Sequence, residues 1–182
     1  HYDSYEALAR DPEIDAVYIA SPHRFHHDQA RLCLEAGKPV LVEKPFTVGA
    51  PQAADLIALA QRQDLFLMEA LWSRFLPVYR RVREWLDEGA IGTIHLISST
   101  FCFRADPDPS DRKFNHELGG GALLDLGVYN ISLSQWVTGE NPSAVNALAR
   151  LGAAGVDELT AVTLGYPQNV MSQFTCMANE RS

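Results

Sequence analysis

Val40-Leu41-Val42-Glu43-Lys44-Pro45 is the stretch on which the reading of this 182-residue chain turns. An aliphatic run, the mark of a strand buried on both faces, breaks off in an acid, a base and a proline. Parallel strands covered by helices on both sides read as near-continuous β-branched and aliphatic runs. Ligands of open α/β sheets gather just beyond the carboxyl ends of such strands. The step Glu43-Lys44-Pro45 therefore predicts a charged amine where a small molecule is bound. A Glu-Lys-Pro tripeptide taken alone reads as a surface loop with a solvated lysine, and the flanking elements overturn that reading.

Working outward, Ala16-Val17-Tyr18-Ile19-Ala20 has the length and composition of a strand and is stopped by Ser21-Pro22. Asp28 to Ala36 carries helical periodicity, with Ala30, Cys33 and Leu34 on one face and Gly37 at the C′ position. With residues 39–43 as the next strand this is a βαβ unit, whose crossover is right-handed. Upstream, Ser4 to Ala9 reads as a short helix capped by Ser4. Downstream, Pro51 to Gln63 predicts a second helix and Leu65 to Ala70 a third buried strand. Strands alternating with helices give an α/β fold, here the latter half of a Rossmann-like doubly wound sheet.

From Leu76 the pattern changes. Val78, Val82, Trp85 and Leu86 form a helical stripe ending at Gly89, and Thr93 to Phe103 is rich in β-formers. A polar loop from Arg104 to Asn115 leads to Gly119-Gly120-Gly121, which opens a helix running to about Val137. Three strand-like runs follow, Ser143 to Leu151, Glu158 to Tyr166 and Val170 to Met177. The expectation is an α+β domain with a mostly antiparallel open sheet and helices on one side. The domains are set at 1-75, a partial dinucleotide-binding domain, and 76-182, a partial substrate and dimerisation domain. A start at His1-Tyr2-Asp3 and a stop just after a strand-like run read as a fragment of a longer protein, inactive by itself.

Composition narrows the partners. Hydrophobic content of 47% and charged content of 21% suit a soluble globular chain. A net charge of −8 without a basic cluster argues against nucleic acid and anionic membranes. No apolar run approaches the roughly 20 residues that cross a bilayer. Cys33, Cys102 and Cys176 sit in apolar contexts without disulfide or zinc spacing, which predicts buried thiols in a reducing, cytoplasmic setting.

Two further groups carry chemistry. The three glycines allow close backbone approach, and the helix they open favours negative groups at its start. Asp125 and Tyr129, four apart, share a face of that helix. They read equally as a capping aspartate and a core tyrosine, but Asp125 lies past the first turn, where a carboxylate needs a partner or a ligand. His23, His26 and His27 form the second group, with His23 and His27 at the i, i+4 spacing of helical zinc pairs. No third ligand has matching spacing, so no metal is expected, and a metal-dependent hydrolase built on these histidines is kept only as a rival.

Four blocks together carry a resemblance: Ile14-Asp15-Ala16-Val17 through Ser21-Pro22 with His26; Ala36-Gly37-Lys38 leading to Glu43-Lys44-Pro45; Glu69-Ala70-Leu71-Trp72 with Arg74-Phe75; and the triple-glycine helix. In order and spacing the chain resembles the glucose–fructose oxidoreductase/inositol dehydrogenase (Gfo/Idh/MocA) family, in the branch of dihydrodiol and xylose dehydrogenases. The resemblance implies an NAD(P)-dependent oxidoreductase moving a hydride between nicotinamide and a CH–OH group of a sugar, cyclic polyol or trans-dihydrodiol. It implies Tyr129 as acid/base, Lys44 as its assistant, and Asp125 orienting substrate or holding Lys44. Cofactor contacts would be Ser21, Pro22, His23, His26, Glu43, Lys44 and Pro45, with a cis Lys44–Pro45 bond. Substrate contacts would be Trp72, Arg112, Asn115, Asp125 and Tyr129; packing accounts equally for Trp72, Arg74 and Phe75. NADP or NAD is implied as cofactor, the selecting segment and the glycine-rich phosphate turn falling before His1. A homodimer or larger homo-oligomer through the C-terminal sheet is implied as well. The rival within the same fold is a binding or regulatory relative without turnover.

Overall fold

The computed structural model describes residues 1–105, 108 and 110–178. The chain forms two compact units, 1–71 with 117–119, and 72–116 with the residues from 120 onward.

The first unit follows its periodicity closely. Helix α1 (Tyr5–Arg10) starts at Ser4, whose side chain accepts the Ala7 N–H at 3.1 Å. Strand β1 (Val17–Ile19) leads through a 3₁₀ turn (His23–Phe25) into α2 (His26–Glu35). Strand β2 (Val40–Glu43), helix α3 (Ala50–Gln63) and strand β3 (Leu67–Ala70) complete the unit. The three strands are parallel in the order β1-β2-β3, with Val17 opposite Val40 and Val40 opposite Leu67. Two successive right-handed crossovers lay α2 and α3 on one side of the sheet. Ala30, Cys33 and Leu34 of α2 and Leu56, Leu59 and Ala60 of α3 therefore close over Ile19, Val40 and Val42.

This corrects the expectation of strands buried on both faces. Val40 and Val42 are fully buried, but Leu41 and Glu43 are only half-buried and Tyr18 is 54% exposed. The apolar run is continuous, yet helices of this unit cover one side alone. Strand β3, read as buried, is half-buried along its length for the same reason.

In the second unit, α4 (Pro77–Asp87) precedes β4 (Leu96–Phe103). Its half-buried positions are Tyr79, Val82, Arg83 and Leu86, whereas Val78 and Trp85 of the expected stripe are exposed. The seam is shifted because Tyr79 and Arg83 both pack on the Trp136 ring, at 5.0 and 4.4 Å. The helix after the glycines opens with a wide π turn (Leu123–Gly127) and continues as α5 (Val128–Thr138). Strands β5 (Ala144–Leu151), β6 (Asp157–Gly165) and β7 (Met171–Ala178) join β4 in the order β4-β7-β6-β5. The two pairings among β5, β6 and β7 are antiparallel and β4–β7 is parallel, so the sheet is mixed.

The π turn and α5 cover one face of this sheet. Leu126 and Ala122 meet Ile97, Val162, Leu164, Phe174 and Cys176 there. Residues 106, 107 and 109 of the expected polar loop lie outside the described residues. Phe114, near the loop's end, is 2% exposed and anchors it in this core. Cys33 and Cys176 are buried as expected, but Cys102 is only half-buried.

Candidate active site

The first unit presents the carboxyl ends of β1 and β2 side by side. Glu43 and Lys44 are half-buried there, as are Ser21 and Pro22. The Lys44–Pro45 peptide is cis. Lys44 N–H donates to Glu43 Oε2 at 3.1 Å, and Phe46 N–H donates to Glu69 Oε1 at 2.8 Å. Glu43 also accepts from the Tyr18 hydroxyl, which holds that phenol above its ordinary pKa. Ser21 Oγ donates to Gln29 Oε1 at 2.8 Å.

The histidines diverge. His23 is buried and donates through Nδ1 to the Gly119 carbonyl at 2.8 Å. His26 is fully buried, with Nδ1 2.8 Å from Pro45 O and Nε2 2.9 Å from Ser21 O. His27 turns the other way, its two nitrogens 2.8 and 2.9 Å from carboxylate oxygens of Asp28 and Asp55. Among the described residues no group of three or more potential metal ligands exists, and the geometry gives the hydrolase reading no support.

In the second unit Asp125 sits inside the π turn at 4% exposure, and Arg112 Nη1 reaches its Oδ1 at 3.3 Å. The buried carboxylate thus has the partner its position demanded. Such wide turns are rare and concentrate at functional sites. One turn on, half-buried Tyr129 accepts a hydrogen bond from Trp72 Nε1 at 2.9 Å. The Trp72 and Phe101 rings stand 6.1 and 5.3 Å from that of Tyr129. Of the other expected substrate contacts, Arg112 is exposed, and half-buried Asn115 lends its carbonyl to the Gly120 N–H at 2.9 Å. Arg74 donates to Ser132 Oγ at 2.8 Å, tying the segment after Leu71 to α5.

The triple glycine serves the protein's own chain. A Cβ on Gly120 would lie 2.6 Å from Lys113 O. Gly121 has φ +122°, and a Cβ there would run into the Asp157 carboxylate. That carboxylate caps the helix, Oδ2 accepting from Leu123 N–H at 2.7 Å and from Thr160 Oγ1 at 2.6 Å. The negative group favoured at this helix start is thus supplied by the chain itself. Asp157 and Glu69 were both missed as site-shaping residues. Each acts on a backbone N–H more than 20 residues away, and no local pattern marks that.

Ser21, Glu43 and Lys44 set donors and acceptors at the β1 and β2 ends, the residues that would hold a nucleotide there. Ser21, Pro22, Glu43 and Lys44 are all half-buried at the carboxyl edge, where doubly wound sheets take nucleotides.

Residues 1–71 match the oxidoreductase family with NAD-binding Rossmann fold, and residues 79–182 match the GFO/IDH/MocA C-terminal domain. Trans-1,2-dihydrobenzene-1,2-diol dehydrogenase of Mus musculus is 41% identical over 176 residues, covering 96% of this chain and 52% of the relative. The Xenopus tropicalis protein of the same name is 44% identical over 166 residues, covering 91% and 50%. The chain therefore spans about half the length of these relatives. Among solved structures, a 3-ketoreductase from Actinomadura kijaniata with NADP and TDP-benzene matches at TM-score 0.87 and 34% identity, over 100% of this chain and 55% of that one. An aldose-aldose oxidoreductase from Caulobacter crescentus matches at TM-score 0.89 and 25% identity, over 98% and 55%. With both parts of the chain matched and this geometry at the strand ends, the chain belongs to the GFO/IDH/MocA family of oxidoreductases.

Proposed function

We propose that the whole protein transfers a hydride between NADP or NAD and a CH–OH group of a sugar, cyclic polyol or trans-dihydrodiol. Residues 1-75 serve the cofactor and residues 76-182 the substrate. The bound nicotinamide supplies the hydride chemistry; the chain's own task is to manage the hydroxyl proton and to orient the carbon. Tyr129 takes up or returns that proton. A phenol with a reference pKa near 10 is a poor base at neutral pH, and a nearby ammonium favours its anion, the part assigned to Lys44. Because Trp72 is the donor in its bond to Tyr129, the phenol hydrogen is not used there. Arg112 and Asp125 orient substrate hydroxyls.

The observation that carries this reading is Glu43-Lys44-Pro45 at the carboxyl end of the central parallel strand, in a chain of this family. The identities to dihydrodiol dehydrogenases favour the dihydrodiol within the substrate class. A reducing, cytoplasmic setting and a homodimer through the open face of the second sheet complete the proposal. Its test is Tyr129→Phe in the full-length protein. Turnover should fall by about 10²–10⁴-fold, as for loss of a general acid/base, with cofactor affinity kept. Unaltered turnover removes Tyr129 from the mechanism. Cofactor binding without turnover of any polyol or dihydrodiol in the parent protein would make it the non-catalytic relative.

A further inference from the structure

We infer that His26 is a positioning residue for the Lys44 turn, acting on the reaction through the backbone it holds. The inference deepens the proposed function, since it takes Lys44 as part of the active site.

His26 is the first residue of α2 and has no exposed surface. Its two ring nitrogens meet two carbonyl oxygens, Pro45 O at 2.8 Å and Ser21 O at 2.9 Å. Those carbonyls belong to the chain just beyond β2 and just beyond β1, neighbouring parallel strands. A single buried imidazole thus spans the two strand ends between which a ligand of such a sheet would lie. Carbonyl oxygens only accept, so whichever nitrogen carries hydrogen donates to its carbonyl, and a doubly protonated ring donates to both. The ring has no exposed surface and both its nitrogens face backbone oxygens, so neither is turned toward cofactor or substrate, which separates its role from contact.

The Lys44 backbone is held from three sides: His26 on Pro45 O, Glu69 on Phe46 N–H at 2.8 Å, and Glu43 on Lys44 N–H at 3.1 Å. The histidine and Glu69 reach the turn from other elements, 19 and 23 residues away. An ammonium at the end of a flexible four-carbon stem is placed only as well as its backbone is placed. A displacement of about 1 Å at a reacting centre costs on the order of 100-fold in rate. An ordinary core histidine would contribute stability to the whole unit; a clamp acts on the two strand ends alone.

The test uses the full-length protein with His26→Ala and His26→Gln, the second keeping N–H donors. Amide hydrogen exchange at Lys44 and Phe46 is read with kcat and cofactor affinity. In His26→Ala the exchange at both amides should rise about tenfold or more while α3 keeps its protection. In that variant kcat should fall at least about tenfold. His26→Gln should recover part of both effects, and it carries the test if His26→Ala does not fold. Unchanged exchange at the turn, or a rise spread evenly over the unit in the variants that fold, overturns the inference. Lys44→Ala in parallel separates the two claims: turnover kept there sinks the role of Lys44, while the exchange data still decide whether His26 is the clamp.

Discussion

Cys33 and Cys176 illustrate what burial does to a single group. Cys176 lies in the sheet core under the π turn with no exposed surface, and burial first, then the Asp157 charge, push its thiol up to about 12. Burial alone raises Cys33 above the ordinary value. The thiolate is the reactive form, so both should resist alkylation while the protein is folded. Iodoacetamide near pH 8 followed by mass spectrometry should find them labelled only after denaturation. Native labelling of Cys176 would contradict the packing of α5 on β7. The same scale shows what residue type reveals and what it hides. Asp125 in an apolar helix announced a need for a partner, and Arg112 meets it. Nothing local distinguished His26, its ring nitrogens facing two carbonyls, from His27 beside it, turned to two carboxylates.

At the scale of elements, His27 and Arg31 join α2 to α3. His27 Nε2 and Arg31 Nη1 both meet Asp55 Oδ2, at 2.9 and 2.7 Å, while Asp28 takes His27 Nδ1 and Glu35 takes Arg31 Nε. Burial pulls His27 down, but the bonds to Asp28 and Asp55 outweigh it and raise its pKa above 6.5. Asp55 is lowered below 3.8, chiefly by its bonds to His27 and Arg31. A raised histidine contributes stability that is complete below its unfolded pKa and lost as pH rises through the folded one. A lowered carboxylate contributes stability that is complete above its unfolded pKa and lost as pH falls through the folded one. The link should therefore be strongest between pH 3.8 and 6.5 and fade on the alkaline side. Denaturant unfolding of the parent and of His27→Gln across pH checks this. The stability gap between them should narrow as pH rises through the neutral range, and a gap independent of pH would show that His27 acts by packing alone. The partners are partly exposed, so the gap is expected to be small.

For the whole molecule, the open face of the second sheet is the surface still to be accounted for. Opposite the side covered by α5, Leu96, Met171 and Leu148 are 54%, 50% and 79% exposed beside Ser98, Thr100 and Gln173. Strand β5 is exposed along its whole length, an arrangement natural sheets rarely leave bare. If a second copy covers this face, Leu148→Glu places a carboxylate in a desolvated interface. The dimer dissociation constant should then rise by about tenfold or more in sedimentation experiments on the full-length protein. A parent that sediments as a monomer, or a variant that dimerises as tightly, argues against this face as the interface.

The sequence by itself determined the order of strands and helices, the caps at Ser4 and Gly37, and the residue types at the strand ends. Those depend on spacing and on neighbours within a few positions, where periodicity and turn chemistry act. Tertiary structure alone decided that helices of the first unit cover only one side of its sheet. It alone set the α4 seam and the parallel pairing of β4 with β7, and it bound Phe114 into the core. It alone gave the glycines their reasons, backbone at Lys113 for Gly120 and the Asp157 carboxylate for Gly121. Each of these turns on a partner brought close only when the chain folds, and no window along the sequence contains both members of such a pair.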